Sequence, residues 1–143
     1  MNVNANFVSF LMTSLSDNPG FNDVTFVIAH ENEIKPTPLD KPIVALSPKG
    51  CTIGNKLTKV NENGELVLTN EREVKSTVSM DIYLPYSMGG IEGHRLFDRL
   101  ATNLMFTKDF GIISGSCSAT DYDSSCQAIV LKSTFVFLNI VDA

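Results

Sequence analysis

The sequence contains no tryptophan and few basic residues. Its 11 Lys and Arg residues are scattered along the chain, and 16 Asp and Glu residues give a formal net charge of -5 at pH 7. A protein that holds a nucleic-acid backbone as its primary task needs clustered Lys and Arg, because neutralising phosphates supplies much of that affinity. The composition therefore argues against nucleic-acid binding as the primary task.

Long hydrophobic runs and leader-like segments are also missing. The longest apolar run, Thr134–Val141, is far shorter than the roughly 18 apolar residues of a membrane-spanning helix. The opening residues carry no basic stretch before an apolar segment, so we expect no secretory signal and no membrane partner. Three cysteines, an odd number, do not suggest a disulfide framework. We expect a soluble product that is made in the cytoplasm.

Signatures of catalysis and metal binding are scarce as well. The sequence has no Gly-x-Ser-x-Gly elbow, phosphate-binding loop, His-Glu-x-x-His pair or dinucleotide glycine pattern. His94 could serve a nucleophile at Cys117 or Ser116, but its charged neighbours on a predicted helix favour a packing or surface role. Cysteines and histidines never occur as the close pairs that hold zinc. We predict that the protein is not an enzyme and has no catalytic residues, cofactor or metal site.

Apolar volume, in contrast, is sufficient for a core. Hydrophobic residues make up 43% of the 143 positions, which is typical of a globular chain and not of a disordered one. At this length the simplest prediction is a single domain that spans residues 1–143.

The clearest pattern runs from Glu73 to Phe106 and predicts a long strand followed by a helix. Alternate residues from Val74 to Leu84 form one face, a period of two that is typical of a strand with one side buried. Pro85 cannot donate to a ladder and ends the pairing. The turn that follows contains Gly89-Gly90, where glycine can take a positive φ. The predicted helix then presents the stripe Ile91, His94, Phe97, Leu100, Ala101 and Leu104.

Shorter elements are predicted on the N-terminal side of this unit. Apolar spacings of three and four indicate a first helix over Asn4–Ser16, which stops at the turn formers Asp17–Gly20. Strands are predicted at Val24–His30 and Ile43–Leu46, the second of them ending at Ser47–Gly50.

Two hairpins complete the pattern. Asn63-Gly64 suits a primed turn, which needs positive φ at two residues, and it should join Leu57–Asn61 to Leu66–Leu68 in a hairpin that projects. A final hairpin pairs Phe110–Cys117 with Cys126–Val141. If it turns at Asp121-Tyr122, Cys117 and Cys126 lie opposite each other as a reduced pair. Helices segregated from hairpin-linked strands indicate an α+β fold: an antiparallel or mixed β-sheet with two helices packed on one face and projecting β-hairpins.

Candidate contact residues are charged or lie in turns. Charges of alternating sign on the predicted helix form either a solvated face tied by i,i+3 pairs or a subunit interface. The proline-containing excursion before Ile43 and the hairpin tip should also be exposed. The candidate subunit or tube interface therefore comprises Glu31, Lys35, Asp40, Asn63, Gly64, Glu92, Arg95, Asp98 and Arg99.

In the order of its elements the chain resembles the phage tail terminators, small proteins that cap the tail tube of long-tailed phages and phage-tail-like particles. The residues that carry the resemblance span nearly the whole chain, as an arrangement of elements. They are the first helix ending at Asp17-Asn18-Pro19, the strand Pro42–Leu46, the strand Glu73–Pro85 with its Tyr-x-Pro end, the helix after Gly89-Gly90 and the long final hairpin.

The resemblance implies a ring, usually a hexamer, at the head-proximal end of the tail in the virion, assembled in the host cytoplasm. Such a ring ends tube polymerisation and offers the joining surface for the head. The implied partners are further copies of the chain, the tail-tube protein, the head–tail connector protein and, in contractile tails, the sheath. Genomic DNA would pass through the lumen without specific binding, which a net negative charge suits.

Two other interpretations stay open. The chain could be a different tail or head–tail adaptor subunit, and an open polymer instead of a ring would then be expected on purification. It could also be a small ligand-binding domain or enzyme with a pocket beneath the Pro36–Pro38 loop. A monomeric or dimeric mass on size exclusion would favour that interpretation.

Overall fold

The computed structural model describes residues 3–29, 40–107, 111–125 and 127–142. Two α-helices lie in these ranges, α1 (Ala5–Ser16) and α2 (Gly90–Phe106). The strands are β1 (Thr25–Ile28), β2 (Ile43–Val60), β3 (Leu66–Pro85), β4 (Ile112–Cys117), β5 (Asp121–Asp123), β6 (Ala128–Leu131) and β7 (Ser133–Val141). Short 3-10 turns follow α1 at Pro19–Phe21 and β3 at Tyr86–Met88.

The strands form one mixed sheet around β3. β2 runs antiparallel along one edge of β3, while β7 and β6 follow each other along its other edge. β4 and β5 extend the sheet outside β7 and β6. β1 lies outside β2 and is parallel to it, which makes the sheet mixed. The predicted α+β fold is confirmed.

Both helices pack on the same face of this sheet, because β3 alternates as predicted. Every second side chain from Val74 to Leu84 is at most 1% exposed. The one polar member, Ser76, donates its hydroxyl to the Val3 carbonyl at 2.7 Å, so its burial leaves no unpaired group. The common core joins apolar residues of the two helices to the sheet, among them Phe7, Leu11, Val44, Leu46, Met80, Ile82, Leu96, Leu100, Phe135 and Phe137.

The buried stripe of α2 is rotated from the predicted one. The buried positions are Gly93, Leu96, Leu100 and Leu104, while Ile91 is 61% exposed. Gly93 explains the difference, since a Cβ there would lie 3.1 Å from Leu84 Cδ1. The helix approaches the sheet closely at Gly93 because this residue has no side chain. A glycine is not counted among the apolar positions of a helical stripe, so the pattern did not predict this contact.

Two strand boundaries were predicted wrongly. β2 does not end at Ser47–Gly50 but continues to Val60, and β3 begins at Leu66 instead of Glu73. Pro48 is tolerated because β1 pairs with β2 only as far as Leu46, so Pro48 lies at an edge beside a register shift.

The extra length of β2 and β3 forms a projecting hairpin, here called the arm: Ile53–Val60, the turn Asn61–Glu65, and Leu66–Arg72. β7 pairs with β3 only from Arg72 onwards, so the outer part of the arm is a two-stranded ribbon about 20 Å long. Its turn lies at the predicted position, but it is not the predicted primed turn, because Asn63 does not share the positive φ of Gly64. Gly64 has φ of 78°, and Asn61 Oδ1 accepts from the backbone N–H groups of Asn63 and Glu65, both at 2.9 Å.

The predicted register of the final hairpin is wrong. Cys117 lies opposite Ser133, and Asp123 lies opposite Ala128, so the chain reverses after Asp123 and not at Asp121-Tyr122. Asp123 Oδ1 accepts from the Ser125 backbone N–H at 2.9 Å and from its hydroxyl at 2.6 Å, which stabilises the later turn. Cys126, the other half of the predicted pair, lies outside the described residues.

Two phenylalanines offer a matched test of the core. Phe135 is fully buried and stacks on Phe97 with ring centroids 5.4 Å apart, whereas Phe106 is 81% exposed at the end of α2. Phe135→Ala should lower the free energy of unfolding by about 3–5 kcal/mol, through lost burial and a residual cavity. Phe106→Ala should change it by less than about 0.5 kcal/mol. Urea unfolding followed by circular dichroism measures both, and equal effects would contradict the described packing.

Candidate functional site

The predicted contact residues fall on separate elements. Asn63 and Gly64 are exposed at the arm tip, and Asp40 is exposed just before β2. Glu31 and Lys35 lie outside the described residues. The four predicted α2 residues are distant from the tip in the fold, since α2 packs against β3, β4 and β6. The seven of these residues that the structure describes therefore do not converge on one site.

The charged side chains of α2 divide into two groups. Arg95 and Glu92 form the predicted i,i+3 pair at 2.6 Å on the exposed side of the helix. Arg99 instead reaches away from α2 and binds the turn that follows α1. Asp98 lies beside Arg99 in a shallow depression next to that turn.

Arg99 connects α2 to the end of α1 through three kinds of contact. Its guanidinium donates to Asp23 Oδ1 and Oδ2 at 2.9 and 3.1 Å and to the Gly20 carbonyl at 2.5 Å. It also lies 5.2 Å from the centroid of the Phe21 ring, within cation–π range. The hydrogen bond from Arg99 lowers the pKa of the Asp23 carboxyl from its ordinary value, against a smaller opposing effect of burial. The geometry gives Arg99 an intramolecular structural role.

The arm carries an apolar face that sequence reasoning missed. Val60 lies directly opposite Leu66, and Leu68 follows two residues later, so the three side chains share one face. They are 63%, 74% and 71% exposed. Lys56 is exposed on β2, where the pairing with β3 shifts register between Lys56 and Thr58. The alternation of Leu66 and Leu68 predicted a strand. It could not reveal that the apolar face of this strand is left uncovered by any second layer.

A second exposed apolar cluster lies at the opposite end of β3, here called the tyrosine end: Tyr86, Met88, Ile91 and Tyr122. The two tyrosine rings meet edge to face with centroids 5.4 Å apart, and both remain more than half exposed. Met88 and Ile91 are 41% and 61% exposed. Exposed apolar clusters of this kind typically mark contact surfaces.

An open groove of about 750 Å³ adjoins the tyrosine end, here called the acidic groove. Its lining includes Asp81 and Tyr83 of β3 and the three residues of β5, Asp121–Asp123. Lys132 is the basic residue of the lining. Asp81 and Tyr83 alternate along β3 with the side chains that face the helices, so the groove lies on the helix-free face of the sheet. Three carboxylates and one ammonium give it an acidic character.

The structure does bring His94 and Cys117 together. Cys117 Sγ lies 3.9 Å from His94 Nδ1 at the protein surface. A thiol nucleophile needs, besides the imidazole, a group that orients it and donors for the developing oxyanion. Among the described residues no partner that would orient the His94 ring is found. The contact is therefore explained by packing of α2 against β4.

Metal-ligating clusters and membrane-spanning helices are not found in the part of the chain that the structure describes. No group of three or more His, Cys, Asp or Glu side chains there is arranged to hold a metal ion. Neither α1 nor α2 is long and apolar enough to cross a membrane. The exposed surfaces described above are the arm, the tyrosine end and the acidic groove.

The Arg99–Asp23 contact predicts a pH dependence of stability. A carboxyl whose folded-state pKa is lowered stabilises the folded state above its unfolded pKa of about 3.9, and this contribution is lost as the pH falls through the folded-state pKa. Because both side chains are substantially exposed, the contribution at neutral pH should be only about 0–1 kcal/mol. NMR titration should find the Asp23 pKa below its ordinary range in the wild type and returned towards it in Arg99→Gln. The control Arg95→Gln should leave it unchanged, and an unaltered Asp23 pKa in Arg99→Gln would refute the assignment.

Comparison with known proteins adds no assignment: the sequence matches no protein-family model and shows no significant similarity to a curated protein.

Proposed function

We propose that this chain is a non-catalytic structural subunit that caps the head-proximal end of a phage tail tube as a ring. In this role it ends tube polymerisation and offers the joining surface for the head connector. The observation that carries the proposal is the arm, a long ribbon with an exposed apolar face that projects from a body packed on its own core.

The arm is built for contact with another chain. A two-stranded ribbon without a further layer is marginally stable in water, because little of its apolar surface is buried. Val60, Leu66 and Leu68 nevertheless lie on its exposed face, where polar residues would keep an isolated ribbon soluble. A partner that covers this face would remove apolar area from water at roughly 25 cal/mol per Å². The arm therefore supplies apolar contact area for a partner and not catalytic groups.

The arrangement of elements on which the resemblance rests is also present. A helix that ends before Pro19 is followed by a strand at Ile43, and β3 ends in Tyr83-Leu84-Pro85 before α2. The long C-terminal hairpin is present as β4 and β5 paired with β7 and β6. This agreement supports the proposal at the level of architecture.

The proposed partners follow from the ring. They are other copies of the chain in a hexamer, the tail-tube protein, the head–tail connector protein and, in a contractile tail, the sheath. The chain would reside in the virion, at the head-proximal end of the tail. A formal net charge of -5 per copy would make the lumen unattractive to DNA, so that genomic DNA passes without binding.

A tube or adaptor subunit of the same kind of particle is the second candidate, and one feature favours it. β4 pairs with β7 on one side and, within the described ranges, with no strand on the other. Its sequence, Ile-Ile-Ser-Gly-Ser-Cys, carries no charge or proline to discourage strand addition. Repeated addition at this edge would give an open polymer, whereas a terminator forms a closed ring. Electron microscopy of the assembled protein separates the two.

The tail-capping role predicts a defect in length control. Particles produced without this chain should carry tails of irregular length that join heads poorly, because nothing ends tube growth or forms the joining surface. Negative-stain microscopy with measured tail lengths provides the readout. Restoring the gene in trans is the control and should restore a single length. Tails of normal, uniform length that join heads efficiently in its absence would refute the proposed function.

A further inference from the structure

We propose that the arm is joined to the body by a latched hinge, in which the side chains of Thr69 and Arg72 set the direction of the arm. The hinge consists of residues 54–57 of β2 and 69–73 of β3. The part of the arm beyond it, residues 58–68, is here called the outer ribbon. The three apolar side chains of the arm face all lie on the outer ribbon, so the latch sets the direction in which they are presented.

The pairing of β2 with β3 shifts register twice within the hinge, and the two shifts have opposite senses. Two residues of β2, Gly54 and Asn55, lie opposite the single residue Glu73. One pair further out, the single residue Leu57 lies opposite residues 69–71 of β3. Extra residues of this kind interrupt the ladder of backbone hydrogen bonds and bend the strand that carries them. Beyond the hinge the pairing is regular up to the turn, so the outer ribbon is a continuous unit.

No third strand supports the outer side of the hinge in the part of the chain that the structure describes. β1 pairs with β2 no further than Leu46, and β7 pairs with β3 no further than Arg72. Apolar packing does not support the hinge either, since none of its residues belongs to the common core. The orientation of the outer ribbon relative to the body therefore depends on bonds formed within the hinge itself.

Side-chain hydrogen bonds bridge the two strands at both shifts. Thr69 Oγ1 donates to the Leu57 carbonyl at 2.9 Å and accepts from the Glu71 backbone N–H at 3.0 Å. The Arg72 guanidinium donates to the Gly54 carbonyl at 3.0 Å. Both bridges are partly buried, which strengthens a hydrogen bond relative to one in water. One bridge spans each shift, and together they form the latch that fixes the angle between the outer ribbon and the body.

A latched arm lowers the cost of association. An arm that swung freely would lose its orientational freedom when a partner covered its apolar face, and this loss would weaken binding. The latch holds the face in one direction before any contact forms. Opening the latch breaks two side-chain bridges and leaves the core intact, so the outer ribbon can also adjust to a partner without unfolding of the body.

Distances between spin labels test the latch directly. Nitroxide labels attached through a ketone-bearing amino acid leave the cysteines in place, and two exposed positions suit them: Glu62 at the arm tip and Met105 on α2. Double electron–electron resonance on the full chain should give one narrow distance distribution. In the double variant Thr69→Val with Arg72→Gln, the distribution should become about twofold wider or more, because the outer ribbon then swings about the hinge.

A conservative variant separates the hydroxyl of the latch from the shape of the side chain. Thr69→Ser keeps the donor and the acceptor, so it should retain the wild-type width, whereas Thr69→Val removes only the hydroxyl and should broaden the distribution. Arg95→Gln, which removes an exposed ion pair of α2, should have no effect. A second pair of labels on the body, at the exposed positions Met105 and Ile140, should report the same distance in every variant.

Three results would overturn the latch. One is a wild-type distribution already as broad as that of the double variant. Another is a folded double variant that keeps the wild-type width. The third is a Thr69→Ser variant that broadens the distribution as much as Thr69→Val. Thermal unfolding of each variant checks folding, and if the double variant is destabilised, the near-isosteric Thr69→Val decides by itself.

The latch is independent of the proposed function, because the labels report on the full chain without any partner. Uniform tails in the absence of the chain would refute tail capping and leave a narrow, latch-dependent distance distribution intact. Irregular tails together with an arm that swings freely in the wild type would support capping and overturn the latch.

Discussion

The alternation of side chains along β3 is the constraint on which the rest of the structure depends. Its even-numbered residues from Val74 to Leu84 are buried, and Val78, Met80, Ile82 and Leu84 among them belong to the core shared with both helices, while its odd-numbered residues face the other way. A shift of pairing by one residue would exchange the two faces and expose six buried side chains. The positions of α1 and α2, and of the acidic groove on the opposite face, all follow from this one register. The same strand, extended beyond its neighbours, also forms half of the arm.

The sequence correctly predicted the features that depend on a local pattern of residues. It did not predict the features that depend on contact with a neighbouring element. The period of two in β3 and the position of the turn at Asn63-Gly64 are local properties, and both are confirmed. The buried stripe of α2 depends on Gly93 meeting Leu84, a contact without a side-chain signature on the helix. The turn of the final hairpin depends on Asp123 binding Ser125, and the polar run from Ser118 to Ser125 offered several equivalent turn positions.

The exposed apolar surfaces were harder to predict than the fold, for a related reason. Charged residues were chosen because charge indicates exposure, yet Arg99 uses its charge within the molecule, on Asp23 and the Gly20 carbonyl. The apolar residues of the arm were read as part of a strand, and an apolar residue in a strand is normally buried. Leu66 and Leu68 are exposed because the core that joins β3 to the two helices does not extend to the arm, so no second layer covers their face. Exposure of an apolar side chain is a property of the assembled sheet and is invisible to periodicity.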